Sequence, residues 1–394
     1  MRQYIWSWIA LVCLGWIAAP DANVTPTGTL LSHTNLVYQG AFRLPEGTLG
    51  NSSFAYGGTA LAFNPARGSL FIVGHDWHQN VAEIGVPAIR SAATVDGLAV
   101  APVLQPFTDV TEGTLGLVGP NNVKVGGLLP YQGKLYVTAY IYYDANGEQV
   151  LSHYVSDLDL SIKGDVKGPY RVGSLKAGYI SGYFGLTASA WREALGGPVL
   201  NGNCCLGIIS RTSYGPAVFA IDPTAIGRIN VPPALPLVYY PASNPLLAPG
   251  TSGDGWGNTS ELFNGTTEIR GVVMPEGSRS VLFFGRQGTG KFCYGTGEEC
   301  SDPTQSAKGV HAYPYRYQVW AYDAMDLVAV KSGRRQPWSV KPYAVWPLQL
   351  PFASPMLQGA TYDAASGRVF ISTAFGDGER PIIHVLGVKP SMMR

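Results

Sequence analysis

Five times along its length the chain repeats one plan: a Gly-containing apolar strand, a hairpin turn, a second apolar strand, a variable polar loop and a third strand ending near an acidic residue. The copies begin near Gly57, Gly126, Gly185, Gly271 and Gly359. Self-similarity at a spacing of tens of residues marks a repeat architecture, in which each unit buries its apolar faces against its neighbours. Short period-2 runs rich in Val, Tyr and Phe read as strands rather than helix pairs.

The second strands are Ser69 to Gly74, Lys134 to Tyr140, Leu206 to Ser210, Ser280 to Gly285 and Gly367 to Ser372 in this reading. A further apolar stretch follows each of the first four copies, at Pro102 to Phe107, Pro169 to Gly173, Leu235 to Tyr240 and Lys341 to Leu348. The fifth copy lacks one, and an unmatched strand, Leu36 to Leu44, precedes the first. Pairing that strand with the last copy closes a ring and removes exposed sheet edges. The predicted fold is therefore all-β: a five-bladed β-propeller with four antiparallel strands per blade. Six blades are the alternative if Asn244 to Thr267, rich in Pro, Gly, Ser and Asn, hides strands.

Charged residues make up only 13% of the chain and glycines number 49, which suits many tight turns and neither a disordered chain nor a long helical protein. A formal net charge of +1 offers no electrostatic footprint for nucleic acid or an anionic membrane, so neither is an expected partner. Residues 1–22 read as a secretory signal, with a cationic start at Arg2, an apolar run from Tyr4 to Ala19 and small residues at Ala18, Ala19 and Ala22. An uncleaved anchor is the other reading. Residues 23–394 then form a single propeller domain, secreted or periplasmic, with no membrane association once the signal is removed.

Four cysteines remain in that domain, and an even number in an exported protein argues for disulfides. Cys293 and Cys300 bracket one Gly-rich loop, so a local clasp is the first choice there. Cys204 and Cys205 are then joined as a vicinal pair or free, and crossed bridges between the two regions are a further option. The spacing lacks paired Cys-x-x-Cys units, so no metal site is expected.

Innermost strands line the channel of a propeller, and ligands bind under the loops of one face. Aligned by their glycines, the inner strands carry Gly57, Gly126 and Gly185 at one position, then Arg270 and Gln358 in the last two copies. Two residues earlier, on the same strand face, stand Ala55, Lys124, Tyr183, Glu268 and Met356. Packing alone favours Gly at a crowded axis, so Lys124, Tyr183, Glu268, Arg270 and Gln358 are candidate site residues. The plainer reading is that Glu268 and Arg270 simply pair with each other.

The loops between second and third strands add a second set. His75-Asp76-Trp77-His78 packs two imidazoles, a carboxylate and an indole into one turn, unless His75 and Asp76 merely satisfy its backbone. Equivalent loops offer Tyr140, Tyr142, Tyr143, Arg211, Arg286 and Phe375, and Asn122 precedes the second inner strand. Planar hydrogen-bonding groups beside aromatic faces suit a polyhydroxylated ligand, so the expected partner is a poly- or oligosaccharide. Arg270, Gln358, Lys124, Tyr183, His78, Trp77, Asn122, Arg211 and Arg286 are the binding candidates. Glycoside hydrolysis needs two carboxyl groups, one kept protonated; Asp76 and Glu268 are nominated, with Asp377 in reserve. A lyase would instead use His75 or Tyr183 as base, with Arg270 neutralising a uronate carboxylate.

The blade plan, carried by the Gly-Gly inner strands and the loops of one face, resembles that of secreted five-bladed propeller glycosidases of the arabinanase and fructosidase types. That resemblance implies the fold and a carbohydrate substrate. Those enzymes place an acid at the start of the first inner strand, where this chain has Ala55-Tyr56-Gly57. Three classes follow: a carbohydrate-active hydrolase or lyase, a non-catalytic binding or scaffold propeller, and a quinone-dependent redox propeller hinted at only by Cys204-Cys205. No cofactor is called for by the first two.

Overall fold

The computed structural model describes residues 26–389 apart from 121, 206–208, 211, 248–259, 292–311, 353 and 355. Five four-stranded antiparallel sheets follow one another along the chain as the blades of a β-propeller. Blade 1 runs through Leu61–Asn64, Ser69–Val73, Val81–Gly85 and Val103–Thr108, and blade 2 through Val123–Tyr131, Lys134–Ile141, His153–Asp157 and Lys167–Tyr170. Blade 3 is the least regular, with Phe184–Leu186, Val199–Asn201, Val218–Ile221 and Ala234–Val238. Blade 4 has Glu268–Val273, Ser280–Gly288, Tyr315–Asp323 and Ala344–Pro347. Blade 5 takes Met356–Asp363, Arg368–Asp377 and Arg380–Val388 from the end of the chain and its outer strand, Leu36–Arg43, from the start.

That closure is the expected one: Leu36 stands opposite Val388 and Arg43 opposite Ile382. A register shift between Tyr38 and Gly40 bends the strand. Gly40 sits there at φ 137°, and a Cβ on it would lie 2.4 Å from the Arg90 carbonyl oxygen, so only glycine fits. The described residues of 244–267 contain no strand, which leaves five blades. One expected strand is misplaced in the sequence reading. The second strand of blade 3 is Val199–Asn201 rather than Leu206 to Ser210, and Ile209–Ser210 instead pairs in parallel with Tyr143–Asp144. The Gly-rich stretch after Asn201 obscured the short Val-Leu-Asn run.

Each blade is covered on both faces, so its middle strands are continuous apolar runs whose alternate residues serve two different interfaces. In Ser69–Val73, Phe71 and Val73 pack with Val125 and Val137 of blade 2, while Leu70 and Ile72 pack with Phe370 and Ile383 of blade 5. The other three interfaces follow the same pattern. Tyr136 meets Phe184 and Phe219 between blades 2 and 3, Val218 meets Phe283 and Trp320 between blades 3 and 4, and Leu282 meets Ile371 between blades 4 and 5. At the axis the backbones approach closely. A Cβ on Gly126 would meet the Ser181 carbonyl oxygen of the segment leading into blade 3 at 2.1 Å.

Candidate functional site

Three inner strands share one irregularity, and it aims side chains at the axis. Register slips by one residue between Val125 and Gly127, between Ile269 and Gly271, and between Leu357 and Gly359. The extra residue at each bulge is Gly126, Arg270 and Gln358, and bulges commonly re-aim a side chain in this way. In blade 1 the bonds Gly58 N–H to Val73 O and Val73 N–H to Ala60 O bracket Thr59 at the equivalent place. The sequence alignment put Gly57 there, two residues early, because its Gly-Gly pair mimicked the others.

Thr59, Arg270 and Gln358 floor a pocket of about 660 Å³ at the channel mouth. Blade 1 supplies Tyr56, Thr59, His75, Asp76 and Trp77, blade 2 Asn122, Lys124, Tyr140 and Tyr142, blade 4 Glu268 and Arg270, and blade 5 Met356, Gln358, Ala374 and Phe375. Among the described residues none of the lining comes from blade 3. Segments more than three hundred residues apart therefore share one cavity, as the repeat demanded. Phe375, Tyr56, His75 and Trp77 form an aromatic arc along the rim, with ring centroids 5.9, 5.4 and 5.9 Å apart in that order. Trp77 ends the arc with 85% of its surface exposed. Tyr56 holds the rim to the last hairpin, its N–H donating to the Glu379 carbonyl at 2.8 Å and its hydroxyl to the Glu379 carboxylate.

The His75 turn is docked onto blade 2. The buried Gln79 Oε1 accepts the Val125 N–H at 2.7 Å, and Gln79 Nε2 donates to the Asp76 carbonyl. Lys124 Nζ in turn donates to the Asp76 carbonyl at 2.9 Å and to its Oδ2 at 2.6 Å. The His75 Nδ1 accepts the Trp77 N–H at 3.2 Å, so the neutral ring carries its proton on Nε2. Burial, helped by neighbouring His78, lowers the His75 pKa and keeps that neutral form at neutral pH.

Glu268 stands directly opposite Arg286 across the strand pair. Its Oε1 accepts from Arg286 at 3.1 Å and its Oε2 from Arg270 at 3.2 Å. Burial alone would raise its pKa, but the two guanidinium groups outweigh burial and hold it below the usual range. For Arg270 the same balance runs the other way: burial favours losing the proton, and Glu268 and the Tyr140 hydroxyl overcome it. Two buried polar atoms of the floor have no hydrogen-bond partner in the protein, Arg270 Nε and Gln358 Oε1, and Thr59 Oγ1 is a third. Buried polar atoms are normally satisfied by protein or by ordered water, and these three stand together around one cavity.

Backbone strain gathers at the same place. Tyr56, Asn122 and Phe375, all lining the pocket, and Gln79 beneath it hold φ between 54° and 59° without being glycine. Such conformations are sparsely populated and cluster at functional sites.

Several nominated residues lie elsewhere. Tyr183 is buried, its hydroxyl donating to the Ala217 carbonyl at 2.9 Å, and it does not line the pocket. His78 stacks behind His75 at 4.7 Å, with Nδ1 beside the Ser52 hydroxyl. Arg286 braces Glu268 from behind, its guanidinium 4.5 Å over the Tyr315 ring. Asp377 is paired with Arg43 and Arg380 away from the lining. Arg211, Cys293 and Cys300 lie outside the described residues. Cys204 and Cys205 stand as a vicinal pair, and Cys204 bridges to Ile269 next to Glu268. Among the described residues no three His, Cys, Asp or Glu side chains gather in a metal-binding group. Thr59, Tyr56 and Ala374 are lining residues that sequence reasoning passed over; a Thr beside a misaligned Gly-Gly pair gave no signal of its own.

Fold and site together define a five-bladed propeller with a polar-floored, aromatic-walled pocket where the inner strands begin. No protein-family model and no curated protein matches the chain. Solved structures similar to it include an exo-1,5-α-L-arabinanase from a bovine ruminal metagenomic library, 9% identical over 86% of this chain and 100% of that one, with a TM-score of 0.45. A glycosyl hydrolase from Bacteroides ovatus is 11% identical over 96% of this chain and 98% of that one, at 0.39. An α-L-arabinanase from Cellvibrio cellulosa is 9% identical over 86% of this chain and 92% of that one, at 0.43.

Proposed function

We propose that this protein is an exported propeller that binds an oligo- or polysaccharide at its channel mouth. The observation that carries the reading is the set of three unpartnered polar atoms, on Thr59, Arg270 and Gln358, at the floor of a pocket walled by aromatic rings. A sugar supplies what each lacks: hydroxyl oxygens accept from Arg270 Nε–H, hydroxyl hydrogens donate to Gln358 Oε1, and Thr59 does either. Tyr56, Tyr142 and Trp77 offer flat apolar faces for the ring carbons. An N-terminal cationic and apolar segment supports export, and a vicinal Cys204-Cys205 disulfide is part of this proposal.

The arrangement favours binding over hydrolysis. A glycosidase needs one carboxyl group kept protonated, and Glu268, held between two guanidinium groups, stays ionised. Asp76 gives its Oδ2 to Lys124. The lyase alternative is weak for a related reason: Tyr183 is outside the pocket, and the one unprotonated nitrogen of His75 already accepts the Trp77 N–H.

The test is a thermal-shift screen of the purified protein against plant, fungal and bacterial glycans, run beside an assay for released reducing ends. Stabilisation by one glycan class without product release is the expected result. Product release makes the protein a glycan-cleaving enzyme, a lyase if the products gain near-ultraviolet absorbance and a hydrolase if they do not, and no shift with any glycan ends the carbohydrate reading.

A further inference from the structure

Hydrogen-bonding capacity in the pocket is unevenly divided. Both oxygens of Glu268 are taken by Arg270 and Arg286, and Asp76 Oδ2 is taken by Lys124. The donors that remain open around these groups include both cations. Arg270 Nε–H is unpartnered, although the side chain is nine-tenths buried. Lys124, also more than nine-tenths buried, uses two of its three hydrogens on Asp76 and keeps one. The His75 ring presents Nε2–H, because Nδ1 accepts from Trp77. The open acceptors are Gln358 Oε1 and the Thr59 hydroxyl, on the blade 5 and blade 1 side, and Asp76 Oδ1, whose contact with Gln79 is a long 3.4 Å.

Resting on the carbohydrate reading above, we infer that the ligand is an acidic sugar whose carboxylate is received by Lys124 and Arg270 and whose hydroxyls face Gln358 and Thr59. A neutral sugar hydroxyl meets one donor well. A carboxylate offers about four acceptor positions and forms charge-assisted bonds roughly twice as strong as neutral ones, so it is the group that satisfies a Lys and an Arg together. Tyr140 helps to fix that pair in place: it stands opposite Lys124 in the strand register, and its hydroxyl contacts the Arg270 guanidinium.

The test compares matched ligands. Oligomers of galacturonate, glucuronate and mannuronate are titrated calorimetrically against the full chain as free acids and as their methyl esters, at low and at raised salt. The free acid of at least one oligomer is expected to bind about tenfold or more tighter than its ester, with the gap narrowing as salt rises. Lys124→Met is expected to shrink that ratio to within about threefold. Equal or tighter binding of the esters overturns the inference and leaves the carbohydrate reading standing. If none of the uronates binds while neutral glycans do, the outcome is the same; if no glycan of any kind binds, both readings fall together.

Discussion

Acidification from pH 7.5 to pH 5 is expected to cost this protein a large part of its stability, through two buried imidazoles rather than through its carboxylates. His153 is fully buried in the third strand of blade 2, with Nδ1 beside the Ser152 hydroxyl and Nε2 beside the Asn201 Oδ1 of blade 3, both at 2.8 Å. His384 is fully buried in the third strand of blade 5, with Nε2 3.1 Å from the Thr373 hydroxyl. Burial pushes each imidazole down from its ordinary 6.5 to about 4. The unfolded chain therefore takes up protons that the folded chain refuses between those values, so stability falls as pH drops through 6.5 and levels off below 4. Each imidazole accounts for about 3 kcal/mol over the whole window and about 2 kcal/mol by pH 5. The two lie in different blades with no shared partner, so the loss at pH 5 is about 4 kcal/mol, against typical domain stabilities of about 5–15 kcal/mol. Urea unfolding followed by tryptophan fluorescence at pH 7.5, 6 and 5 measures this directly. His384→Gln, which keeps a polar partner for Thr373, is expected to halve the drop. An unchanged midpoint between pH 7.5 and 5, or a His384→Gln variant with the parental pH slope, refutes the reasoning.

Three other outcomes follow from the ring and its mouth. Gly126→Ala places a methyl group 2.1 Å from the Ser181 carbonyl oxygen and should cost at least about 2 kcal/mol in urea melts, since neither backbone has room to retreat. Arg270→Met leaves Glu268 with one of its two guanidinium partners, Arg286, and is expected to cost about 3 kcal/mol of stability, together with loss of any ligand-induced thermal shift. Trp77→Ala, at a side chain 85% exposed, should leave stability within about 0.5 kcal/mol while weakening glycan binding about fivefold or more, read by calorimetry.

Strand chemistry in this chain is local, and most of the fold was legible for that reason. Period-2 runs such as Ser69–Val73 and Lys134–Ile141 carry their own evidence of two buried faces, and the unmatched N-terminal strand predicted the closure that Leu36–Arg43 makes with Arg380–Val388. Blade 3 was misread where its strands shrink to three residues, too short for a period to register. At the site, the positions that break the axial glycine rule identified Arg270, Gln358, Lys124 and Glu268, because an expensive buried polar group stands out against an apolar repeat. Tyr183 obeyed the same rule and misled, since the direction of its side chain depends on the irregular path of blade 3.

Residue types and repeat phase, then, were enough to say that five small sheets close into a ring and that charge collects where they meet. Tertiary structure alone decided how that charge is spent. The shared strand face of Glu268 and Arg270 suggested their pair, but ion pairing depends on distances between strands and blades, and no periodicity records that Glu268 gives its other oxygen to Arg286, or that Lys124 reaches from blade 2 to Asp76 of blade 1. Whether a carboxylate is free to act or already held is a matter of ångströms, and those are set by how the blades pack.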